Sequence, residues 1–498
     1  MNRRSLLLGG AAIGLAGTAA YGYTNLKPVS PQRLSKRPSL IYPDHIDARQ
    51  SGSFSLNAQS GVTDFLPGVG SQTIGFNQSY LGPVIRVSAK GTTKANVTNQ
   101  LAFPVTSHWH GLIIPGKQDG GPHQLVNPGE TWSPELTIDQ APAMTWYHSH
   151  VAEQTAQQVY AGLAGVMILD DGKDDERGLP TTYAKDDLVL VIQDKLLNDA
   201  GQLVYATSMH DQMTGFMGDT MLVNGQLDPV ANVPGSIVRL RLLNASNAGV
   251  HKLEFSDGRP FYIIATDSGY LAKPVQVTSV RLAPAERIQV LVDFSDGNNP
   301  VLVSTPQVAV QGNGMMGMMM RGRSMFSQFS EGRISVLAFK TDQTLPTKID
   351  KVPASLDTEN TKSNPIIAQT RVFQLETGMG MMGGGMMGGG GMRINGRSFD
   401  INRVDTAVKI GTFEKWIVRA DVLAHPFHIH GVKFKVVSES GRKPSVENQG
   451  WKDTVLVKDE SELLIEFTQK AAATKPFMFH CHILEHEDAG MMGQFSVT

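Results

Sequence analysis

From residue 40 to the C-terminus, apolar and polar positions fall in short runs of strand length, and long amphipathic helical periods are scarce. The runs at 188–192, 237–243 and 288–292 are rich in aliphatic and β-branched residues and are separated by clusters of Gly, Pro, Asn and Asp. Such runs between turn-forming residues predict stacked β-sandwiches. A charged stretch at 170–177 follows the apolar run 165–169, and a polar stretch at 341–364 follows the run 334–339. Taken as boundaries, they predict sandwiches over residues 40–175, 183–342 and 365–498.

Length and composition agree with this division. A chain of 498 residues is too long for one hydrophobic core. Hydrophobic residues at 41% and charged residues at 18% describe a globular protein, and a formal net charge of −2 lacks the basic surplus that nucleic-acid binding needs. The N-terminus stands apart. Met1-Asn2-Arg3-Arg4-Ser5 precedes an apolar stretch over 6–20, interrupted by Gly9, Gly10, Gly14 and Gly17 and ending Thr18-Ala19-Ala20. Positive residues, a short apolar centre and small residues describe an export signal over 1–22. Arg3-Arg4 resemble the twin-arginine signal of proteins exported folded, with Asn2 where that signal prefers Ser or Thr. The stretch is short and glycine-rich for a spanning helix. The expectation is export by the twin-arginine machinery to the periplasm or beyond, with no stable membrane anchor after processing.

Four motifs hold ten of the fourteen histidines and the single cysteine. They are His108-Trp109-His110, His148-Ser149-His150, His425-Pro426-Phe427-His428-Ile429-His430 and His480-Cys481-His482, the last followed by His486 and Met491. A lone cysteine forms no internal disulfide and is usually a small buried hydrophobe. Here its neighbours change the reading. Residues i and i+2 of a strand share a face, so each His-x-His pair can present two imidazoles together. Neutral imidazole suits copper, zinc, iron or nickel. With His480 and His482 on one face, Cys481 lies on the other. There its thiolate can join His425, His486 and, more weakly, Met491 in a His₂Cys set with an axial thioether, the ligand set of a blue-copper electron-transfer site.

With these motifs, and with Gly218-Asp219-Thr220-Met221-Leu222-Val223-Asn224-Gly225 and Trp451-Lys452-Asp453-Thr454-Val455, the chain resembles the multicopper oxidases, most closely their bacterial copper-efflux-type branch, over nearly its whole length after the signal. The resemblance implies an all-β protein of three consecutive cupredoxin-like Greek-key β-sandwich domains, with a trinuclear copper cluster between the first and third. It implies four copper ions. His425, Cys481 and His486, with Met491 axial, match the type 1 ligands, and His108 and His428 match type 2. His110, His148 and His482 match one type 3 ion; His150, His430 and His480 match the other. Asp119 and Glu487 match acids that supply protons for dioxygen reduction, although most carboxylates are merely solvated. Asp453 reads as a structural hydrogen-bonding residue. The family is commonly monomeric.

The electron donor is read from methionine. Twelve of the 22 methionines lie in two glycine-rich stretches. One holds Met315, Met316, Met318, Met319, Met320 and Met325; the other holds Met379, Met381, Met382, Met386, Met387 and Met392. Thioether sulfur selects Cu(I), so these stretches read as collectors of cuprous ion; the plainer alternative is a low-complexity loop. Met209, Met213, Met217 and Met221 recur every four residues, as on one packed helical face, but Gly215 and Gly218 oppose that helix. Asp421 matches the family's substrate-copper aspartate, whereas Leu423 stands where a methionine is expected and cannot donate. Three functions follow: a cuprous oxidase, a laccase-like oxidase of phenols or aromatic amines with an open pocket beside His486, or a copper-storing or copperless non-enzyme. His45, His123, His210 and His251 read as ordinary residues.

Overall fold

The structure, a computed structural model, describes residues 37–205, 208–307, 332–346, 348–356, 365–377 and 391–498. They form three consecutive cupredoxin-like β-sandwiches, as the alternation of short apolar runs leads one to expect. In the first, one sheet runs from the strand His45–Asp47 through Val84–Ser88 and Ala164–Asp170 to β2 (Ala143–His148) and the edge strand β1 (His108–His110). Strand β1 pairs antiparallel with β2, setting His108 opposite His148. The facing sheet is built on Ser53–Leu66, Val69–Phe76 and Lys90–Asn99. Helix α1 (Thr155–Ala161) follows the second motif.

The second sandwich begins in space before the first. Ser39 pairs with Val230, and Leu40 is buried in the second sandwich's core. Its larger sheet includes Asp187–Leu197, Ile237–Asn244 and β3 (Arg287–Asp293). Continuous apolarity in the first of these strands has a packing cause. Leu188, Leu190 and Ile192 enter the sandwich core, while Val189 and Val191 pack with Val84, Met144, Trp146 and Ile168 of the first sandwich. A strand buried on both faces has no solvent side to mark with polar residues. Helix α2 (Met209–Thr214) follows in the chain, and Ser208 caps it by accepting from Asp211 N.

The third sandwich carries β4 (His425–Ile429), β5 (Thr454–Val457) and β6 (Phe477–Cys481), with β4 central between the other two. Phe427 pairs with Cys481, and His428 with His480. Helix α3 (Leu484–Asp488) leaves the end of β6 and packs against α1 and α2, so its few residues lie among all three sandwiches.

Candidate metal centre

Strand period separates two donor sets. Phe427 and Ile429 of β4 and Phe477, Phe479 and Cys481 of β6 all enter the third sandwich's core. The intervening positions, His428, His430, His480 and His482, therefore face the opposite side, toward β1 and β2 of the first sandwich. His425 shares the parity of Phe427, so it meets Cys481 inside the third sandwich. A one-residue slip of either strand would exchange the two sets.

Inside the sandwich, Cys481 Sγ is 3.4 Å from His425 Nδ1 and 3.7 Å from His486 Nδ1, and the two nitrogens are 3.3 Å apart. A triangle with these edges places each donor about 2 Å from a common centre, the distance at which imidazole meets a first-row divalent ion. Met491 is fully buried in the same cluster, and its carbonyl accepts from Cys481 N at 3.1 Å.

Between the first and third sandwiches, eight imidazoles crowd together, all buried. Six are oriented by an outward hydrogen-bond partner, and a seventh, His150, faces a carboxylate. His108 Nδ1 meets Asp119 O at 3.0 Å, His148 Nδ1 meets Ser149 O at 2.8 Å, and His428 Nδ1 meets Asp453 O at 2.8 Å. His480 Nδ1 meets Cys481 O at 3.0 Å, and His430 Nδ1 meets Asp119 Oδ2 at 2.8 Å. His150 Nδ1 lies 3.3 Å from Glu487 Oε1. His110 is turned the other way, with Nε2 at 3.1 Å from both Asp453 Oδ1 and Thr454 Oγ1. Each ring thus points its remaining nitrogen inward, the orientation that outer partners impose on metal-binding histidine. His108 Nε2, His110 Nδ1, His148 Nε2, His150 Nδ1, His428 Nε2 and both nitrogens of His482 are buried without a hydrogen-bond partner. So many orphaned donors in one cavity fit cations.

His150, His430 and His480 bring their Nε2 atoms together at 3.1 and 3.3 Å. Donor proximity also groups His108 with His110 and His148, and with His428 and His430. Because the rings share one small space, distance alone does not divide them among individual ions.

Burial and neighbouring imidazoles hold His110, His150, His428, His430 and His482 far below the ordinary histidine range, as burial does His148, and push His486 down to about 3. These shifts favour the neutral ring, the form that ligates. Burial pushes the Cys481 thiol up, so a bound cation is needed to hold the thiolate. Asp119 and Glu487, both buried, touch the cluster. Asp119 Oδ2 is 3.5 Å from His108 Nδ1 besides its bond to His430, and Glu487 Oε2 is 3.1 Å from His480 Nδ1. Glu487 spans histidines of the first and third sandwiches.

The surroundings of His486 bear on the donor. His486 is fully buried, and its Nε2 donates to Met213 O of α2 at 3.1 Å. Phe216 N donates to Glu485 Oε2 at 2.9 Å, fixing the chain after α2 onto α3. Among the described residues, that ring edge is covered by the backbone of α2. Asp421 Oδ1 is 3.5 Å from His425 Nε2, while Asp421 Oδ2 accepts from Thr377 N and Oγ1, each at 2.7 Å. Leu423 is buried. Met392 is buried in the third core, but Met315, Met316, Met318, Met319, Met320, Met325, Met379, Met381, Met382, Met386 and Met387 lie outside the described residues, as does the export signal over 1–22. The four-residue methionine pattern is not one helical face: α2 ends at Gly215, whose φ is 85°, and Met221 lies on a strand in the second core. Sequence reasoning missed Arg287, Glu485 and the carbonyl of Met213. Only the pair Glu286-Arg287, opening an otherwise apolar run, hinted at a buried charge.

Three family models, each described as multicopper oxidase, match residues 57–174, 176–315 and 368–498. The chain is 38% identical over 452 residues to the cell division protein FtsP of Xenorhabdus nematophila, covering 91% of this chain and 88% of that protein. It is 36% identical to the FtsP of Escherichia coli over 472 residues, 95% of each chain. Among solved structures it is similar to CueO of Ochrobactrum sp., described as a bacterial laccase-like multicopper oxidase active on lignin model compounds and lignosulfonate. The TM-score is 0.83 at 37% identity, over 92% of this chain and 100% of that one. The McoA multicopper oxidase of Aquifex aeolicus matches with a TM-score of 0.79 at 29% identity, over 93% and 100%. With family models spanning most of its length and the donor sets such a family requires, the chain belongs to the multicopper oxidase family.

Proposed function

We propose that the protein is an exported oxidase that holds four copper ions and couples one-electron oxidation of Cu(I) to four-electron reduction of dioxygen to water. The observation that carries this reading is the placement of Cys481, with His425 and His486, on one face of a strand whose other face presents His480 and His482 to the eight-imidazole cavity. His425, Cys481 and His486, with Met491 nearby, would hold the electron-accepting ion. His108 and His428 would hold a second, His110, His148 and His482 a third, and His150, His430 and His480 a fourth. Copper so held supplies single-electron transfer and dioxygen reduction.

The chain's own residues supply the rest. The Cys481 carbonyl bonded to His480 Nδ1 adds a hydrogen-bonded shortcut to the covalent path between the two sites. Glu487 stands at His150 and His480 and Asp119 at His108 and His430, where either can pass protons toward reduced oxygen. Covering of His486 by α2 favours a small ion over a phenol as donor. Asp421, beside His425 and bonded to Thr377, stands at the start of the methionine stretch that follows 377, which fits delivery of cuprous ion there. Among the described residues, no helix is long and apolar enough to cross a membrane.

The relatives named for cell division favour a second reading, in which the same fold serves division without turnover. One variant separates the two. Copper-loaded protein is expected to carry four ions and a blue absorption band; Cys481→Ser should lose the band and one ion and keep the other three. In cells lacking the gene, an oxidase predicts that only the wild type restores copper tolerance. Equal rescue of a division defect by Cys481→Ser, with no copper phenotype, would establish the second reading instead.

A further inference from the structure

The second sandwich contributes none of the ten motif histidines, yet one of its side chains reaches their partners. We propose that Arg287 is a positioning residue for the histidine cluster, and that through it the second sandwich controls copper occupancy of a site lying between the other two. The inference rests on the copper-centre reading above.

Arg287 opens β3 and is fully buried. A guanidinium has five N–H donors, and here every one is used. Nε donates to Met144 O at 3.0 Å, on the strand that ends in His148. Nη1 donates to Ala285 O at 3.0 Å and to Asp453 Oδ1 at 2.7 Å. Nη2 donates to Asp267 O at 3.1 Å and to Asp453 Oδ2. One planar group therefore fastens the first sandwich at Met144, the second at Asp267 and Ala285, and the third at Asp453.

Asp453 is where this matters for the cluster. Its Oδ1 receives both Arg287 and His110 Nε2, and its carbonyl receives His428 Nδ1. His110 and His428 are stacked, with ring centroids 3.6 Å apart and planes 13° from parallel. Asp453, with Thr454 Oγ1 at 3.1 Å from His110 Nε2 and 3.2 Å from His428 Nδ1, thus orients both rings, and Arg287 supplies the paired charge that holds the Asp453 carboxylate, to which Thr454 and Ser268 also donate. Gly111, directly after His110, shows how tight the fit is. A Cβ there would lie 2.7 Å from both Arg287 Nη2 and Asp453 Oδ2, at a φ of +88° that already favours glycine. Removing the guanidinium would leave a buried carboxylate with its charge uncompensated, free to turn from His110 toward any other donor.

The test compares copper content and spectra of wild type, Arg287→Gln, Arg287→Lys and, as a control, Arg241→Gln. Arg241 is equally buried, in the same sandwich, and pairs with Asp187, Asp174 and Gln289. The blue band of the Cys481 site reports correct folding and loading in every sample. Arg287→Gln is expected to keep that band while losing at least one copper per chain, together with the electron-paramagnetic signal of the type 2 ion or the near-ultraviolet band of the coupled pair. Arg287→Lys should show the same selective loss, because an ammonium does not span both carboxylate oxygens; it decides the matter if the glutamine variant does not fold. Full copper and unchanged spectra in a folded Arg287 variant would overturn the proposal. So would an equal selective loss in Arg241→Gln. A wild type that takes up no copper would instead overturn the oxidase reading.

Discussion

Cys481 occupies an odd position on a strand whose flanking even positions are histidines, and its neighbours in the core are phenylalanines. This was legible because period-2 alternation needs no long-range information: four His-x-His pairs and one cysteine fix their faces from spacing alone. Arg287 was not legible. Its partner Asp453 lies 166 residues away, and a charged residue heading an apolar run has no local signature of what it will meet. Lys195 was equally hidden. It is fully buried, with Nζ bonded to Tyr160 O at 2.8 Å and lying over that ring, and burial lowers its pKa to about 7 from 10.5. The unfolded lysine binds its proton more tightly, so stability rises with pH between these values; the cost of a buried charge is fully present below about 7 and is relieved toward 10.5. Lys195→Met is therefore expected to stabilise the protein at pH 6, by an amount on the order of 1–2 kcal/mol, and to lose that advantage by pH 10. Denaturation of both proteins across this range checks it; a constant or growing advantage would contradict it.

At the scale of elements, the three sandwiches follow from runs such as 188–192, but short segments between strands escaped the same reasoning. Helix α2 is an example. Its methionine spacing suggests a longer packed face, yet Gly215 ends it and the chain turns so that the carbonyl of Met213 covers His486. What decides this is tertiary: Gly215 fits against the third sandwich because it lacks a side chain. A Cβ there would lie 2.3 Å from Ala248 Cβ and 2.6 Å from Ile483 Cγ2, at a φ of 85°. Gly215→Val should push α2 away from His486 and open the ring edge to larger donors. The expected result is a rise in kcat/KM for a simple phenol of about tenfold, equivalent to about 1.4 kcal/mol, with the Cu(I) rate little changed. Unchanged phenol kinetics in a folded, fully copper-loaded variant would mean that α2 is not the barrier.

At the scale of the whole molecule, the eight imidazoles lie between domains. The first and third sandwiches supply the eight-imidazole cavity, the third alone supplies the Cys481 site, and the second joins them through Arg287 and covers His486 through α2. That arrangement explains why motifs from the two ends of the chain meet. It also makes the donor a property of the assembled surface near Asp421 and His486, which no single motif encodes. The measurement that tests the account most directly is oxygen uptake by the four-copper protein with Cu(I) as donor, beside a simple phenol, with and without the methionine stretches around 315–325 and 379–387. The account predicts rapid uptake with Cu(I), slow uptake with phenol, and loss of the Cu(I) preference when the stretches are removed. Phenol turned over as fast as Cu(I) with the stretches intact, or copper bound with no oxygen consumed from either donor, would contradict it.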